Sequence, residues 1–302
     1  MKYAITDLGS NTIRLSVYNT LENGTFETLF TKKVMAGLAG YVVDDLMSPD
    51  GINQACAVLL DFQFLLHQLG IDTMYPFATA SLRNIKNSES TIEIIRRRTG
   101  LSIDVIDGQE EGILGYYGAL YGTSFHNGIF FDIGGGSTEI VEIKKGKIKK
   151  SQSLSIGSLN LYTKTVSKFW PNKKELKSIE KVIQSTFKKI DLPKGTTEKV
   201  CCIGGTVRAV LKIVNCYYKK KKDNTHFTAE EFFTVEKMLI QKEDAMKNYV
   251  LKLCPDRVHT IIPGILIMKE IIERTSCSAI QVSKYGVREG YLCKNFLNVK
   301  SD

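Results

Sequence analysis

Hydrophobic and polar residues follow the same plan in two stretches of the chain. Residues 3–18, YAITDLGSNTIRLSVY, and 130–143, FFDIGGGSTEIVEI, each hold an apolar strand, an aspartate, a glycine-rich turn and a second apolar strand. Runs of this length and composition are typical of strands. The aspartates, Asp7 and Asp132, are 125 residues apart, close to half of the 302-residue chain. The pattern therefore predicts two similar lobes that face each other across a cleft.

Helical spacing and strand-like runs alternate along the rest of the chain. Apolar residues recur at helical spacing in 51–69 and predict a helix. Asp107 is a good N-cap for a helix that continues to about Gly122, with Glu110 as its capping-box partner. The other predicted strands are 27–35, 74–81, 102–106, 200–205 and 279–282, and the other predicted helices are 89–100, 206–214, 228–240, 243–252, 263–275 and 287–297.

The mixture of strands and helices predicts an α/β fold with two lobes. No low-complexity segment separates the halves, so the connection between them is expected to be short, near 121–128 or later. We assign 1–123 to an N-terminal lobe and 124–302 to a C-terminal lobe, with the final helix, 287–302, packing back on the first lobe.

The composition is that of a globular protein, with 43% hydrophobic and 24% charged residues. A net charge of +9 favours anionic partners without specifying the anion. The seven cysteines form no CxxC pair and the four histidines are scattered, so zinc and haem motifs are excluded. The chain enters its first strand without a signal peptide, and its most apolar later run, 261–272, is too short to cross a bilayer. We expect a cytoplasmic protein with no membrane partner.

The glycine-rich turns are the first candidates for chemistry. Glycine lets the backbone approach a ligand closely, and several N–H groups that point into one concavity bind anions. Because the turn occurs twice, each time after an aspartate, a purely structural hairpin is the weaker interpretation. Neither copy is a Rossmann or P-loop motif, since a strand follows it and no GK[ST] is present. The turn residues are Gly9, Ser10, Asn11 and Thr12 in the first copy and Gly134, Gly135, Gly136, Ser137 and Thr138 in the second.

Carboxylates near these turns are candidates for metal binding and proton transfer. Asp7 and Asp132 lie at strand ends, where a hard cation such as Mg²⁺ is often held through carboxylates, waters and phosphate oxygens. Glu139 follows the second turn at a spacing that could return it to the same cleft. Glu111 could be a general base for water, although on spacing alone a solvated first-turn glutamate is the better interpretation. No residue forms a recognisable covalent nucleophile, so water is the expected attacker.

The chain resembles the exopolyphosphatase / guanosine pentaphosphate phosphohydrolase (Ppx/GppA) family, within the superfamily of actin, the heat-shock chaperone ATPases and the sugar kinases. The matching segments follow the family's order: DLGSNTIRL (7–15), ATASLRNIKNS (78–88), GQEEGILGYYG (108–118), DIGGGSTEIV (132–141), SLSIGSLNL (153–161), CCIGGTVRAV (201–210), RVHTIIPGILIM (257–268) and VSKYGVREGYL (282–292). The resemblance implies two ribonuclease-H-like (actin-like ATPase) lobes around a central cleft.

The resemblance also implies roles for individual residues. Glu111 would be the base that activates water. Asp132 and Glu139 would be catalytic and would hold the attacking water and Mg²⁺ or another hard divalent cation. Asp7 stays a candidate ligand of the same cation because of its place at a strand end. Arg83 would bind a substrate phosphate, and the two turns would cradle phosphates. A third ligand-facing loop would contribute Gly204, Gly205 and Arg208.

A lysine-rich stretch bears on the substrate. Residues 144–189 hold thirteen lysines and two glutamates and are predicted to be mostly helical. A solvated lysine face is the ordinary interpretation. A long polyphosphate, however, needs a positively charged track that a compact nucleotide does not need. Because aromatic residues are not interleaved with the lysines, no nucleic-acid partner is expected.

These observations rank the functional hypotheses. The leading one is metal-dependent hydrolysis of the terminal phosphoanhydride of inorganic polyphosphate, with release of orthophosphate. The nearest alternative is the same chemistry on guanosine pentaphosphate (pppGpp). A kinase or nucleotide-driven chaperone, and a protein that binds polyphosphate or an alarmone without hydrolysis, are more distant alternatives. A homodimer is left open.

Overall fold

A computed structural model describes residues 1–22, 24–192, 198–241 and 244–297. The chain divides into two compact units. Of the described residues, the first unit comprises Met1–Gly118 and 287–297, and the second comprises those within Ala119–Gly286. In the part of the chain that the structure describes, no helix is both long and apolar enough to cross a membrane.

The first unit is built on a five-stranded sheet with the order β3-β2-β1-β6-β7. β1, β2 and β3 are antiparallel neighbours, whereas β6 and β7 run parallel to β1. The strands of this sheet are β1 (Lys2–Leu8), β2 (Ile13–Thr20), β3 (Phe26–Val34), β6 (Met74–Ala78) and β7 (Asp104–Val105). A separate two-stranded sheet is formed by β4 (Val42–Val43) and β5 (Leu46–Met47). The helices are α1 (Pro49–Gln68), α2 (Ala80–Arg83), α3 (Ser88–Thr99) and α4 (Gly108–Leu120), the last of which continues into the second unit.

Local sequence accounts for most of these elements. Ser48 caps α1 by accepting a 3.3 Å hydrogen bond from the N–H of Gly51, and Pro49 occupies its first turn. Among the apolar residues whose spacing predicted a helix over 51–69, Leu60 and Phe64 are exposed rather than buried. The predicted strand over 102–106 shortens to the two residues of β7.

The second unit repeats this plan with a six-stranded sheet of order β10-β9-β8-β11-β13-β12. β8, β9 and β10 are antiparallel neighbours, whereas β11 and β13 run parallel to β8. The strands are β8 (Gly128–Ile133), β9 (Thr138–Lys144), β10 (Lys147–Leu154), β11 (Lys199–Ile203), β12 (His226–Thr228) and β13 (Ala279–Val282). The helices are α5 (Ser158–Thr165), α6 (Lys173–Phe187), α7 (Gly205–Tyr217), α8 (Ala229–Ile240), α9 (Asp244–Leu253) and α10 (Ile261–Thr275). The predicted mixed α/β fold is confirmed.

β10 corrects the prediction for the lysine-rich stretch, which was expected to be mostly helical. Lys147–Leu154 pairs with β9 at the edge of the sheet. The lysines of this segment lie on an edge strand, where charged side chains discourage pairing with another chain. Their helix propensity is therefore overridden by the hairpin that begins at Lys145 and Gly146, and the helices of the stretch begin only at Ser158 and Lys173.

The last helix, α11 (Val287–Phe296), belongs to the first unit. The hydroxyl of Tyr18 in β2 donates a buried 2.6 Å hydrogen bond to Oε1 of Glu289. α11 also crosses α4 closely, since a methyl group at Gly290 would overlap the carbonyl oxygen of Leu114. Strand β2 and helix α4 are therefore both packed against the C-terminal helix.

Candidate active site

The first glycine-rich turn joins β1 to β2 and is shaped by its own backbone. The N–H of Gly9 donates to the carbonyl oxygen of Thr12 at 3.0 Å. The carbonyls of Ser10 and Asn11 accept hydrogen bonds of 2.9 and 3.0 Å from N–H groups of residues 37–39. A trans peptide points its N–H opposite to its C=O, so the N–H groups of Asn11 and Thr12 point away from that segment. The turn can therefore offer them to an anion.

The second turn joins β8 to β9 with the same internal hydrogen bond. The N–H of Gly134 donates to the carbonyl oxygen of Ser137 at 3.0 Å. The carbonyls of Gly134 and Gly135 accept 2.9 Å hydrogen bonds from the first two N–H groups of α5. The chain before α5 passes so close that a Cβ atom at Gly157 would lie 2.5 Å from the carbonyl oxygen of Gly135. By the same peptide geometry, the following N–H groups point away from α5.

The side chains of the predicted turn residues are used differently. Asn11 is buried, and its amide nitrogen makes no hydrogen bond within the described residues. Thr138 is completely buried and donates its hydroxyl to the carbonyl oxygen of Ile156 at 2.7 Å. Asn11 therefore remains a candidate ligand donor, whereas Thr138 fastens the start of β9.

The two copies of the hairpin differ in the residue that faces the aspartate across the strand pair. Asp7 in β1 faces Arg14 in β2, whereas Asp132 in β8 faces Glu139 in β9. Facing residues in an antiparallel pair have Cβ atoms about 5 Å apart. Asp7 also has Nη1 of Arg288 at 3.4 Å from its Oδ2. The first copy thus surrounds its aspartate with cations, whereas the second places two carboxylates side by side.

Charge and burial act in opposite directions on Asp7. Burial raises the pKa of its carboxyl above the ordinary value, and the guanidinium groups of Arg288 and Arg14 oppose that rise. Burial also lowers the pKa of Arg288, but the charges of Glu289, Tyr18 and Asp7 outweigh it and leave the pKa raised. Asp7 and Arg288 therefore form part of a buried polar network in the first unit.

The pair Asp132 and Glu139 suits a hard divalent cation. Glu139 is completely buried and accepts a 2.8 Å hydrogen bond from the hydroxyl of Ser153, whereas Asp132 is partly exposed. No group of three or more His, Cys, Asp or Glu side chains comes together among the described residues. Mg²⁺ does not require one, because it is commonly bound by one or two carboxylates with waters and phosphate oxygens completing its shell.

A third loop, between β11 and α7, lies directly against Asp132. Gly204 has φ +106°, a conformation that other residues rarely adopt. A Cβ atom at this position would lie 2.5 Å from Oδ1 of Asp132 and 2.8 Å from the carbonyl oxygen of Ile133. The predicted loop of Gly204 and Gly205 is therefore next to Asp132, the penultimate residue of β8.

Arg257 is a candidate that the sequence analysis did not single out. Its guanidinium packs on Gly205 so closely that a side chain there would overlap it. Burial lowers the pKa of Arg257, while the charges of Asp256, Cys254 and Asp132 oppose the decrease. The signal available in the sequence was an arginine at the start of the segment RVHTIIPGILIM. The predicted Arg208 lies in the first turn of α7, and its Nη2 is 3.4 Å from the carbonyl oxygen of Lys284.

In the first unit, the structure brings Arg83 and Glu111 together. Nη1 of Arg83 lies 2.8 Å from Oε2 of Glu111 and 2.9 Å from the carbonyl oxygen of Ile106. The side chain of Glu111 is only 10% exposed, so it is not the solvated glutamate that spacing alone favoured. Asp107 caps α4 as predicted, because its Oδ1 accepts hydrogen bonds of 2.8 and 2.9 Å from the second and third N–H groups beyond it.

The sequence profile of the Ppx/GppA phosphatase family matches residues 17–299. The chain belongs to the Ppx/GppA phosphatase family. Membership confirms the predicted family and the predicted enzyme class, a phosphoanhydride hydrolase.

Individual Ppx/GppA relatives are distant in sequence but similar in fold. A bifunctional 3-dehydroquinate synthase/phosphatase of Fusobacterium nucleatum is 26% identical over 93% of this chain, which spans 44% of that protein. Exopolyphosphatase 1 of Mycobacterium bovis is 20% identical over 97% of this chain and 88% of its own length. The crystal structure of an exopolyphosphatase from Cytophaga hutchinsonii superposes with a TM-score of 0.86 at 20% identity, covering 100% of this chain and 99% of the other. A Ppx/GppA structure from Aquifex aeolicus gives 0.79 at 24% identity, with 98% of each chain covered. These structural similarities support the predicted fold with two lobes.

Proposed function

We propose that the protein is an exopolyphosphatase, which hydrolyses the terminal phosphoanhydride of inorganic polyphosphate and releases orthophosphate. The observation that carries this choice of substrate is the charge distribution. Residues 144–189 hold 13 lysines and two glutamates, a balance of +11, whereas the rest of the chain holds 28 basic and 30 acidic residues, a balance of −2. The net positive charge of the chain thus resides in one segment of the second unit. A long polyanion gains from such a concentration more than a compact nucleotide does.

The proposed chemistry uses water as the nucleophile. Its oxygen attacks the terminal phosphorus, the bridging P–O bond breaks, and the electron pair leaves with the shortened chain. Glu111 accepts the proton that water loses. Arg83 binds a phosphate oxygen and holds the Glu111 carboxylate through their 2.8 Å ion pair. Backbone N–H groups of the two glycine-rich turns stabilise the charge that develops on the phosphate oxygens.

A divalent cation is part of the proposal. Asp132 and Glu139 would hold it, and when bound it would neutralise charge on the phosphate oxygens. Asp7 was predicted as a further ligand; its two neighbouring guanidinium groups make it the weaker one.

The test is the release of orthophosphate by the purified protein in the presence of Mg²⁺, measured on long-chain polyphosphate and on pppGpp. We expect turnover of polyphosphate, and a loss of kcat of about 100-fold or more in Glu111→Gln, because general-base catalysis contributes on the order of 10²–10⁴. The glutamine keeps an oxygen for Arg83 to contact. Glu110→Gln is the matched control, since Glu110 pairs with Lys294 at the surface. Turnover of pppGpp alone would replace polyphosphate as the substrate, and a fully active Glu111→Gln would remove the assigned base.

A further inference from the structure

The lysines of helix α6, unlike those of β10, have no role in the described part of the fold that would account for their positions. Three of them, Lys174, Lys177 and Lys181, lie at i, i+3 and i+7 on one face, and all are exposed. Lys188, which follows the helix, continues the same line. We call these four residues the lysine stripe. At a rise of about 1.5 Å per residue the stripe is about 21 Å long.

The acidic residues of α6 do not neutralise the lysine stripe. Glu175 is used at the helix start, where its carboxylate accepts hydrogen bonds of 2.8 Å from the N–H groups of Ser167 and Asn172. The charge of Glu180 raises the pKa values of Lys269 and Glu273 of α10, so Glu180 lies on the side of α6 that faces α10. Within the residues that the structure describes, no carboxylate lies within 4.0 Å of a stripe amine.

The arrangement is unfavourable for the helix itself. Lys173 and Lys174 occupy the first turn of α6, where the helix dipole disfavours positive charge. Lys173 and Lys177, and again Lys177 and Lys181, are like charges four residues apart, which repel. The lysines of β10 protect a sheet edge, but those of α6 have no such role. A bound polyanion would compensate both costs.

The lysine stripe starts at the end of the second unit that carries the loop of Gly204 and Gly205, and it runs away from that end. α10 begins beside the loop of Gly204 and Gly205, since Gly264 in its first turn packs against Thr206. Further along, Lys269 of α10 interacts with Glu180, and Arg274 lies 5.5 Å from the ring centre of Phe187. α6 therefore runs parallel to α10. The stripe begins at the level of the loop of Gly204 and Gly205 and extends towards the C-terminal end of α10.

We propose that the lysine stripe binds the body of a long inorganic polyphosphate chain while its end is hydrolysed elsewhere on the protein. The inference rests on the proposed function for its choice of polyanion. Single-stranded RNA fits less well, because such sites combine positive charge with exposed aromatic rings. The aromatic residue within α6, Phe187, is completely buried, and the exposed ring of Phe169 lies before the helix, five residues ahead of the first lysine of the stripe.

The experiment compares two triple variants that remove the same charge. Lys174→Gln, Lys177→Gln and Lys181→Gln remove most of the stripe. Lys219→Gln, Lys221→Gln and Lys222→Gln form the matched control, because these lysines are also exposed and lie in a separate loop. Equilibrium binding of long-chain polyphosphate and of tripolyphosphate is measured at several salt concentrations, with EDTA present to prevent turnover.

We expect the stripe variant to bind long-chain polyphosphate about tenfold more weakly, and its slope of log affinity against log salt to fall by about 2, near 0.7 for each lost contact. Tripolyphosphate binding and the control variant should stay within twofold of the unmodified protein. Equal weakening in both variants, no weakening in either, or displacement of polyphosphate by single-stranded RNA at equal phosphate concentration would overturn the proposal. Phosphate release is measured separately. If polyphosphate binding depends on the stripe but no phosphate is released, the proposed function is rejected and the proposed binding role of the stripe is retained.

Discussion

Nη1 of Arg83 lies 2.8 Å from Oε2 of Glu111, so the predicted phosphate ligand and the predicted base form one ion pair. The two residues are 28 positions apart and come from α2 and α4. Arg83 also donates to the carbonyl oxygen of Ile106, which fixes the guanidinium between the two helices. A substitution that removes either charge therefore removes a contact that holds the other side chain in place.

This coupling predicts a non-additive mutant cycle. Arg83→Gln and Glu111→Gln should each lower the free energy of unfolding by about 1–3 kcal/mol, because each leaves a mostly buried charge without this partner. The double variant should cost less than the sum of the two, by at least about 0.5 kcal/mol. Urea unfolding of the four proteins measures the cycle. The surface pair Glu110–Lys294 is the control, with an expected coupling below about 1 kcal/mol; additive costs for Arg83 and Glu111 would contradict the ion pair.

The contrast between the two copies of the turn predicts where a cation binds. Asp132→Asn and Glu139→Gln should each weaken Mg²⁺ binding about tenfold or more, since Mg²⁺ depends on the few carboxylates that hold it. Asp7→Asn should weaken it less, because Arg14 and Arg288 already neutralise that carboxylate. Titration calorimetry of the protein with Mg²⁺ measures all three. The assignment fails if Asp7→Asn has the largest effect.

The close contact at Gly204 predicts a large effect of one added methyl group. Gly204→Ala should reduce kcat at least about tenfold and lower stability, because the Cβ atom displaces the carboxylate of Asp132 and the residue is strained at φ +106°. Gly146→Ala separates the two causes, since Gly146 also has a positive φ but its nearest contact for a Cβ atom is 3.7 Å away. It should lose about 1 kcal/mol of stability without loss of kcat. Equal activity in both variants would show that the loop does not position Asp132.

Buried thiols predict a loss of stability at alkaline pH. Burial raises the pKa of Cys201 to about 12, and that of Cys254 and Cys293 to about 11, from the ordinary value of 9.0. The unfolded chain releases these protons above pH 9, whereas the folded protein retains them, so stability is complete below pH 9 and falls as the pH rises towards 11. Burial also raises the pKa of Cys202 well above the ordinary value, so at least four such groups give a slope of at least about 5 kcal/mol per pH unit.

Urea unfolding between pH 9 and 11 checks this slope. Cys254→Ala should reduce it by up to about one quarter, because one of at least four contributing thiols is lost. Cys216→Ser should leave it unchanged, since Cys216 is exposed. A slope that none of the substitutions alters would assign the alkaline transition to other groups.

Local patterns were sufficient to predict most of the fold. The duplicated hairpins, the helix over 51–69 and the cap at Asp107 were predicted because each depends on neighbouring residues. β10 was not predicted, and the strand over 102–106 was predicted longer than β7 is, because pairing partners decide the structure of both. Strands at the edge of a sheet carry little signal of their own.

The candidate site was likewise predicted only where it depends on neighbouring residues. The turns were predicted from their glycines, but the opposition of Arg14 to Asp7 and of Glu139 to Asp132 follows from strand register, which the sequence leaves implicit. The ion pair of Arg83 with Glu111 and the packing of Arg257 on Gly205 join segments that are distant in the chain. Periodicity and spacing contain no information about such contacts.

The position of α11 sets an order for the assembly of the protein during translation. Tyr18 is made among the first residues, but Glu289, which accepts its buried hydrogen bond, emerges from the ribosome only after all of Ala119–Gly286. Until then the first unit also lacks Arg288 beside Asp7. The second unit, contained in one continuous segment, can fold before the first unit is complete. The unit whose synthesis starts first is therefore the last to acquire its full set of buried contacts.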